Sequence, residues 1–388
     1  MTLRVMSIYG TRPEAIKLAP VVKALEVRPG IRSYTVVTGQ HREMLDQVNR
    51  VFGVTPDHDL DVFGKGQSLN RLMAKVFDGL EDILSTVRPD VVVVQGDTTT
   101  VTAAAIAAFN HGIRVAHVEA GLRSGDLQSP FPEEANRKLA SQVTSLHLAP
   151  TSSARDNLLL ENVDPSTIVV TGNTVIDALH LALQAPVAWT SREVARVDAA
   201  GRRVLLVTTH RRENWGEAMS GFGRALRRVA DDYPDLDIII PTHRNQVVRD
   251  ALWPHVEGTP NIVLTEPMDY GEFVHLLNRS WAVLTDSGGI QEEAPALGKP
   301  VLVMRDNTER PEAVAAGVCR LIGTDEGRVE AEVRRLLTDP QHYAGMARGV
   351  SPYGDGLASA RIVAAIETLF GRGERLAEFQ PQDASGAT

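Results

Sequence analysis

The feature that most constrains this chain is a series of short apolar runs, each closed by Gly, Thr, Pro or His. In the first half they read LRVMSIYG, YTVVTG, DVVVVQG, RVAHVEAG and TIVVTG; in the second, RVLLVTTH, LDIIIPTH, NIVLTEP, WAVLTDSGG and PVLVM. Runs this short and this continuous, rich in Val and Ile, suit parallel strands buried on both faces. Helical patterns lie between them. PEAIKLAPVVKALEV follows the first run, with Pro13 suited to an early helical position, TTTVTAAAIAAF follows DVVVVQGD, and GGIQEEAPALG follows WAVLTDS. Alternating strands and helices imply right-handed crossovers, hence an α/β fold. The pattern restarts near residue 201 after a polar, irregular stretch around 185–201. Two Rossmann-like doubly wound domains are expected, facing each other across a cleft, over residues 1–175 and 176–355. The hinge is expected near 172–180 or just beyond, with an amphipathic helix at 356–372 and a disordered tail at 373–388. Ligands of such sheets bind at the C-terminal ends of the strands.

Bulk properties narrow the function. The chain has 388 residues and a formal net charge of -9, which argues against a nucleic-acid binder. The single cysteine, Cys319, cannot form a disulfide within the chain or a cysteine-rich metal site. No uninterrupted apolar run approaches the length of a membrane span. The opening MTLRVMSIYG reads as a strand rather than a secretory leader, so a cytoplasmic protein is expected.

Several motifs sit at strand ends. GTRPEAIK, residues 10–17, opens a helix beside Arg12, and free N–H groups with a guanidinium make a phosphate seat. It is not GxGxxG, so no dinucleotide cofactor is indicated. QGDTTT places Asp97 where a helix N-cap is the plainer reading. TDSGGIQEEAPALGKP places Ser287, Gly288 and Gly289 at a helix start, where phosphate can approach the backbone; a carboxylate one turn on, Glu292 or Glu293, can grip the hydroxyls of a ribose. THRRENWG and PTHRN set His210 and His243 beside arginines without metal-ligand spacing, so no metal site is expected. The Asp-x-Asp pairs at 59/61 and 235/237 look like strand edges. The segment HVEAGLRSGDLQSPFPEEANRK, residues 117–138, gathers carboxylates beside cations directly after a strand. Together these point to a nucleotide-sugar enzyme whose leaving group is a nucleoside diphosphate.

GTRPEAIK, QHREMLDQV, GDTTT, HVEAGLR, PEEANR, TGNTVIDAL, HRREN, TDSGGIQEEAP, GKPVLVMR, TERPEAV and PYGDG occur in this order. With them the chain closely resembles the non-hydrolysing UDP-N-acetylglucosamine 2-epimerases of bacteria, over about residues 3–370. The resemblance implies a GT-B-like fold whose C-terminal helix crosses back to the first domain, a homodimer, and neither metal nor nicotinamide. It implies interconversion of UDP-GlcNAc and UDP-ManNAc. Carbon 2 is not adjacent to a carbonyl, and the family's route is elimination of UDP to 2-acetamidoglucal followed by re-addition. A proton taken from one face and delivered to the other needs at least two acid/base groups. By resemblance, Asp97, Glu119 and Glu133 are the catalytic carboxylates, and His210 lies beside the leaving phosphate. Arg12, His210 and Ser287-Gly288-Gly289 would hold the diphosphate, Glu293 the ribose, and Lys17, Arg137 and Arg310 further parts of the cleft. An inter-domain ion pair is the alternative for Arg137. Glu134, Asp126 and Arg123 read as mostly structural. Gln40, His41, Gln67, Arg211 and His243 resemble a second UDP-GlcNAc site that serves as an activator. The competing classes are a GT-B glycosyltransferase, a hydrolysing epimerase and a non-catalytic UDP-sugar sensor.

Overall fold

The structure is a computed structural model that describes residues 2–39, 42–64, 66–209, 211, 216–242 and 245–381, with the backbone alone for 42–44. The chain forms two compact units. The first takes the residues up to Ala182 together with Tyr353–Gln380; the second takes Leu183–Pro352. The first unit thus runs seven residues past the expected boundary at 175. The helix Thr174–Ala182 belongs to it, because buried Asp177 accepts backbone N–H groups of Ala358 (3.2 Å) and Ser359 (2.7 Å). Those two residues open the last helix, Ala358–Leu369, which also belongs to the first unit.

The first unit carries β1 (Leu3–Tyr9), β2 (Ile31–Val37), β3 (His58–Asp59), β4 (Val91–Gln95), β5 (Arg114–Val118), β6 (Leu146–Ala149) and β7 (Ile168–Val170). Among the described residues they form one parallel sheet in the order β3-β2-β1-β4-β5-β6-β7. The second unit carries β8 (Arg203–Thr208), β9 (Leu236–Pro241), β10 (Ile262–Thr265), β11 (Ala282–Thr285), β12 (Val301–Val303) and β13 (Cys319–Leu321). These are ordered β10-β9-β8-β11-β12-β13, also parallel. Both sheets reverse strand order once, between β1 and β4 and between β8 and β11. Ligands of doubly wound sheets bind at such reversals. The central strands are buried on both faces: Val91–Val94 and Val204–Val207 are fully inaccessible. This is why each reads as an unbroken apolar run.

Two expectations are corrected. The stretch around 185–201 is not irregular throughout: Arg192–Ala200 is a helix, with the Ser191 hydroxyl accepting from Val194 N–H and Gly201 (φ 69°) closing it. The tail from 373 is anchored to the first unit through Glu378 and Phe379, while its other described residues are exposed. Val170 at the edge strand β7 accepts from Phe379 N–H at 2.9 Å and donates to the Glu378 carboxylate at 3.1 Å, and Phe379 is buried. The tail therefore covers the free edge of the first sheet, an edge that would otherwise expose unpaired backbone groups.

Candidate active site

In the first unit the site is built at the ends of β1, β4 and β5. After β1 the chain turns at Gly10 into the helix Arg12–Glu26, with Pro13 in its first turn. Thr11 and Glu14 form a capping box there. The buried Glu14 carboxylate accepts from Gly10 N–H (2.9 Å), Thr11 N–H (2.6 Å) and the Thr98 hydroxyl (2.6 Å). It thereby ties the turn after β1 to the turn after β4. Burial raises its pKa, and these hydrogen bonds oppose the rise. Arg12, half-buried, has no ion-pair partner among the described residues.

After β4, Gly96 (φ 83°) turns the chain and Asp97 follows. Asp97 is not the helix cap. Thr98 is, and its hydroxyl accepts from Val101 N–H at 3.4 Å. The Asp97 carboxylate instead receives Arg137 Nε and Nη2 on one oxygen, Oδ2, at 3.0 and 2.7 Å. Its Oδ1 has no hydrogen bond among the described residues. His117, buried on β5, lies 2.7 Å through Nε2 from the Gly96 carbonyl, which fixes the turn that carries Asp97. Burial holds His117 below the usual histidine range, so it is a neutral donor at that carbonyl. Its register partner on β6, His147, is pushed down to about 3 by burial, then by the proximity of His117 and Arg123.

After β5, Glu119 adopts φ 63°, a left-handed conformation that costs a non-glycine residue energy. Its side chain, 8% exposed, meets Lys17 Nζ at 2.5 Å through Oε1 and the Gln95 amide through Oε2. The segment beyond passes Arg123, which donates to Glu161 from Nε (2.9 Å) and Nη2 (2.7 Å); Glu161 also takes Lys138 at 2.7 Å. Glu133 and Glu134 then open the helix Glu133–Val143. Their environments differ. Glu133 is half-buried, with no partner among the described residues. Glu134 is 0% exposed and accepts from Ser124 N–H (3.0 Å), Gly125 N–H (3.2 Å) and Arg137 Nη1 (3.1 Å). Burial alone would raise its pKa, but those donors outweigh burial and hold it below the usual range. Arg137 thus bridges Glu134 and Asp97, both in the first unit.

In the second unit, β11 ends in Thr285 and buried Asp286, and the turn Ser287-Gly288-Gly289 leads into the helix Ile290–Ala296. Ser287 N–H is held by the Thr285 hydroxyl at 2.9 Å, and that hydroxyl lies 2.6 Å from the Thr208 hydroxyl of β8. A Cβ added at Gly288 or Gly289 would meet nothing within 4 Å among the described residues. The turn is open to a ligand but not sterically obliged to be glycine. Asp286 accepts the backbone N–H of Arg211 at 3.0 Å. Glu292 receives Arg310 Nε, while Glu293, a turn inside the helix, takes the Tyr270 hydroxyl at 3.0 Å. Arg310 and Glu292 therefore neutralise one another beside the turn.

Of the residues the sequence singles out, the structure brings Lys17, Asp97, Glu119, Glu133 and Arg137 to one edge of the first sheet. It places Ser287, Gly288, Gly289, Glu293, Arg310 and Arg211 around the end of β11. Gln67 is half-buried after β3, its amide nitrogen without a partner among the described residues. Gln40, His41, His210 and His243 lie outside the described residues. Sequence reasoning missed Gln95, Glu14, Tyr270 and the hub role of Glu134. Only Glu14 left a signal, the Thr-x-x-Glu spacing of a capping box. Among the described residues no cluster of His, Cys, Asp or Glu is arranged to hold a metal, and no helix is long and apolar enough to cross a membrane.

A family model described as UDP-N-acetylglucosamine 2-epimerase matches residues 23–367. The chain is 48% identical to the UDP-N-acetylglucosamine 2-epimerase of Escherichia coli K12, covering 94% of this chain and 98% of that one. Its fold matches a crystal structure from Listeria monocytogenes described as a UDP-N-acetylglucosamine 2-epimerase with a TM-score of 0.92, at 43% identity over 98% and 100% of the two chains. It also matches the UDP-GlcNAc 2-epimerase of Neisseria meningitidis, solved bound to UDP-GlcNAc, with a TM-score of 0.82 at 44% identity over 95% and 100%.

Proposed function

The chain belongs to the UDP-N-acetylglucosamine 2-epimerase family, and from that premise we propose that it interconverts UDP-GlcNAc and UDP-ManNAc by elimination and re-addition of UDP. The observation that carries this reading is the paired set Lys17–Glu119 and Arg137–Asp97 at the strand ends of one sheet. In the forward step a carboxylate takes the carbon-2 proton. The C2–H electron pair becomes the C1=C2 double bond, and the C1–O bond breaks with its electrons passing to the β-phosphate of UDP. In the reverse sense that phosphate oxygen attacks carbon 1, and a second group delivers a proton to carbon 2 from the other face. No electrons are gained or lost, so the route needs no hydride carrier.

Two acid/base groups on opposite faces are the minimum for this sequence. Asp97, Glu119 and Glu133 supply them. Lys17 and Arg137 hold Glu119 and Asp97 in orientation. The developing charge on UDP would fall to Arg12, to the backbone of Ser287-Gly288-Gly289 and to His210. Glu293, steadied by Tyr270, would take the ribose. Arg310, already paired with Glu292, would position that carboxylate rather than bind phosphate outright.

The same reading includes a homodimer, a cytoplasmic location where UDP-sugars are drawn on, and a second UDP-GlcNAc acting as activator. Gln67 and Arg211 are its described candidates, and a ligand favouring the active conformation would shift its population. The deciding experiment is proton NMR with UDP-GlcNAc in deuterated water. UDP-ManNAc bearing deuterium at carbon 2 is the expected product. Free ManNAc with UDP would indicate hydrolysis. UDP release only on adding an acceptor alcohol would indicate a transferase, and binding without turnover a sensor.

A further inference from the structure

The two sheets end differently. The edge strand β7 of the first is covered by the tail, whereas β13 at the edge of the second borders a cavity of about 630 Å³. Arg320, Arg328, Arg348 and His342 line it, with Val314 and Met346 as apolar wall. The cations are unevenly neutralised. Arg320 is paired with Glu332 at 2.9 Å. The Arg328 guanidinium donates only to the Leu321 carbonyl on β13, at 3.3 Å, and that of Arg348 only to the Ala316 carbonyl. Neither guanidinium has a carboxylate partner among the described residues. In the same unit Arg202, Arg224, Arg228, Arg249 and Arg334 all have one. His342 adds a ring Nε2 that is shielded from solvent and has no partner among the described residues. Burial, then Arg335 and Arg320, keeps that histidine below its usual range, so its ring is neutral near pH 7.

Like charges gathered around one concavity repel each other and attract an anion, and guanidinium forks match phosphate oxygens geometrically. The apolar wall would suit a body attached to the phosphate. The lining residues, Val314 to Arg348, lie in the second unit and share nothing with the groups around the end of β11. We propose that this cavity is a binding site for a small phosphorylated metabolite, distinct from the UDP-sugar site.

The test is calorimetric titration of the full chain in the presence of saturating UDP, which occupies the catalytic phosphate seat. The probes are inorganic phosphate, pyrophosphate and phenyl phosphate. Wild type should bind one pyrophosphate, and phenyl phosphate more tightly than inorganic phosphate. The Arg328→Gln/Arg348→Gln variant should lose about tenfold or more in pyrophosphate affinity, the scale of lost charge-assisted hydrogen bonds. Its thermal midpoint, UDP affinity and epimerase rate without added phosphate should stay unchanged. The Lys/Lys variant, which keeps charge but loses the fork, should fall between them. No binding of any probe to wild type, or equal binding to wild type and the Gln/Gln variant, overturns the site. Equal affinity for phenyl and inorganic phosphate overturns the role given to the apolar wall.

Discussion

The two units share a strand order but present their strand ends in opposite ways. In the first, the ends of β4 and β5 carry carboxylates held by side chains: Asp97 by Arg137, Glu119 by Lys17 and Gln95. In the second, the end of β11 presents an open glycine turn, with the Glu292 and Glu293 carboxylates one turn further on. One topology thus carries paired charged side chains at the strand ends of one unit and an open glycine turn at those of the other. The sheet dictates where a site can lie, and the turn residues decide its chemistry. Substitutions should separate the two kinds of site.

The largest effect should come from Glu119→Gln. The amide keeps size and polarity but cannot take a proton, and it leaves Lys17 without its counter-charge. Turnover should fall by about 10³-fold, within the usual range for losing a general acid or base. UDP affinity, which the proposal assigns to Arg12 and to groups of the second unit, should stay within about twofold. A change confined to KM, with kcat intact, would sink the catalytic role.

Glu134→Gln should act on folding as well as rate. The carboxylate is wholly buried, and neutralising it leaves Arg137 and two backbone N–H groups poorly matched. Breaking a buried pair from one side costs about 3 kcal/mol. The thermal transition of the first unit should drop, and kcat should fall because Arg137, without its Nη1 anchor, holds Asp97 less firmly. Glu134 is a positioning residue, so Glu134→Gln should shift the acid limb of the kcat–pH profile rather than abolish turnover. An unshifted profile would reduce it to scaffolding.

Gly288→Ala tests the second unit. The added methyl meets no atom of the described residues within 4 Å, so stability should be unchanged. It would stand where a phosphate approaches the backbone, and UDP affinity should drop about tenfold, roughly one charge-assisted hydrogen bond. Unchanged UDP affinity would remove the turn from the diphosphate site.

These contrasts also show what was legible beforehand. The strands buried on both faces, such as VVVV at 91–94, announced themselves by composition alone. β6 and β13 did not. β6 carries His147 within four residues, and β13 is Cys-Arg-Leu at a sheet edge, so neither shows a continuous run. Asp59, read as a strand edge, does end the short strand β3. Asp97 was legible as a strand-end carboxylate, but its likeness to a helix cap dissolved only once Thr98 was seen to cap and Arg137 to bind Asp97. That partner lies 40 residues away, and no local pattern encodes it. Glu134 outranks its neighbour Glu133 in burial for the same reason: the loop it anchors closes through tertiary contacts.

The smallest effect concerns acid stability, and it compares one carboxylate from each unit. Glu161 is held at about 2 by hydrogen bonds from Arg123, against burial, with Lys138 adding to the effect. Glu309 is held at about 2 by Arg305. Both pKa values are depressed on folding, so each pair contributes stability above the ordinary carboxylate range, lost as pH falls from about 4.5 toward about 2. The contributions should nonetheless differ, because the Glu161 side chain is 23% exposed and that of Glu309 is 58% exposed. Water and salt screen the second pair, which makes it worth little. Glu161→Gln should therefore lower the thermal midpoint of the first unit at pH 7, with the gap to wild type closing as pH approaches 2. Glu309→Gln should leave only a slight gap, erased by added salt. The described tryptophans, Trp189, Trp253 and Trp281, belong to the second unit. Their fluorescence reports Glu309, and hydrogen exchange in the Arg123 and Glu161 segments reports the first unit. A Glu161→Gln gap that persists at low pH would mean that the loss is one of packing, since only an ionised carboxylate can lose its contribution through that window.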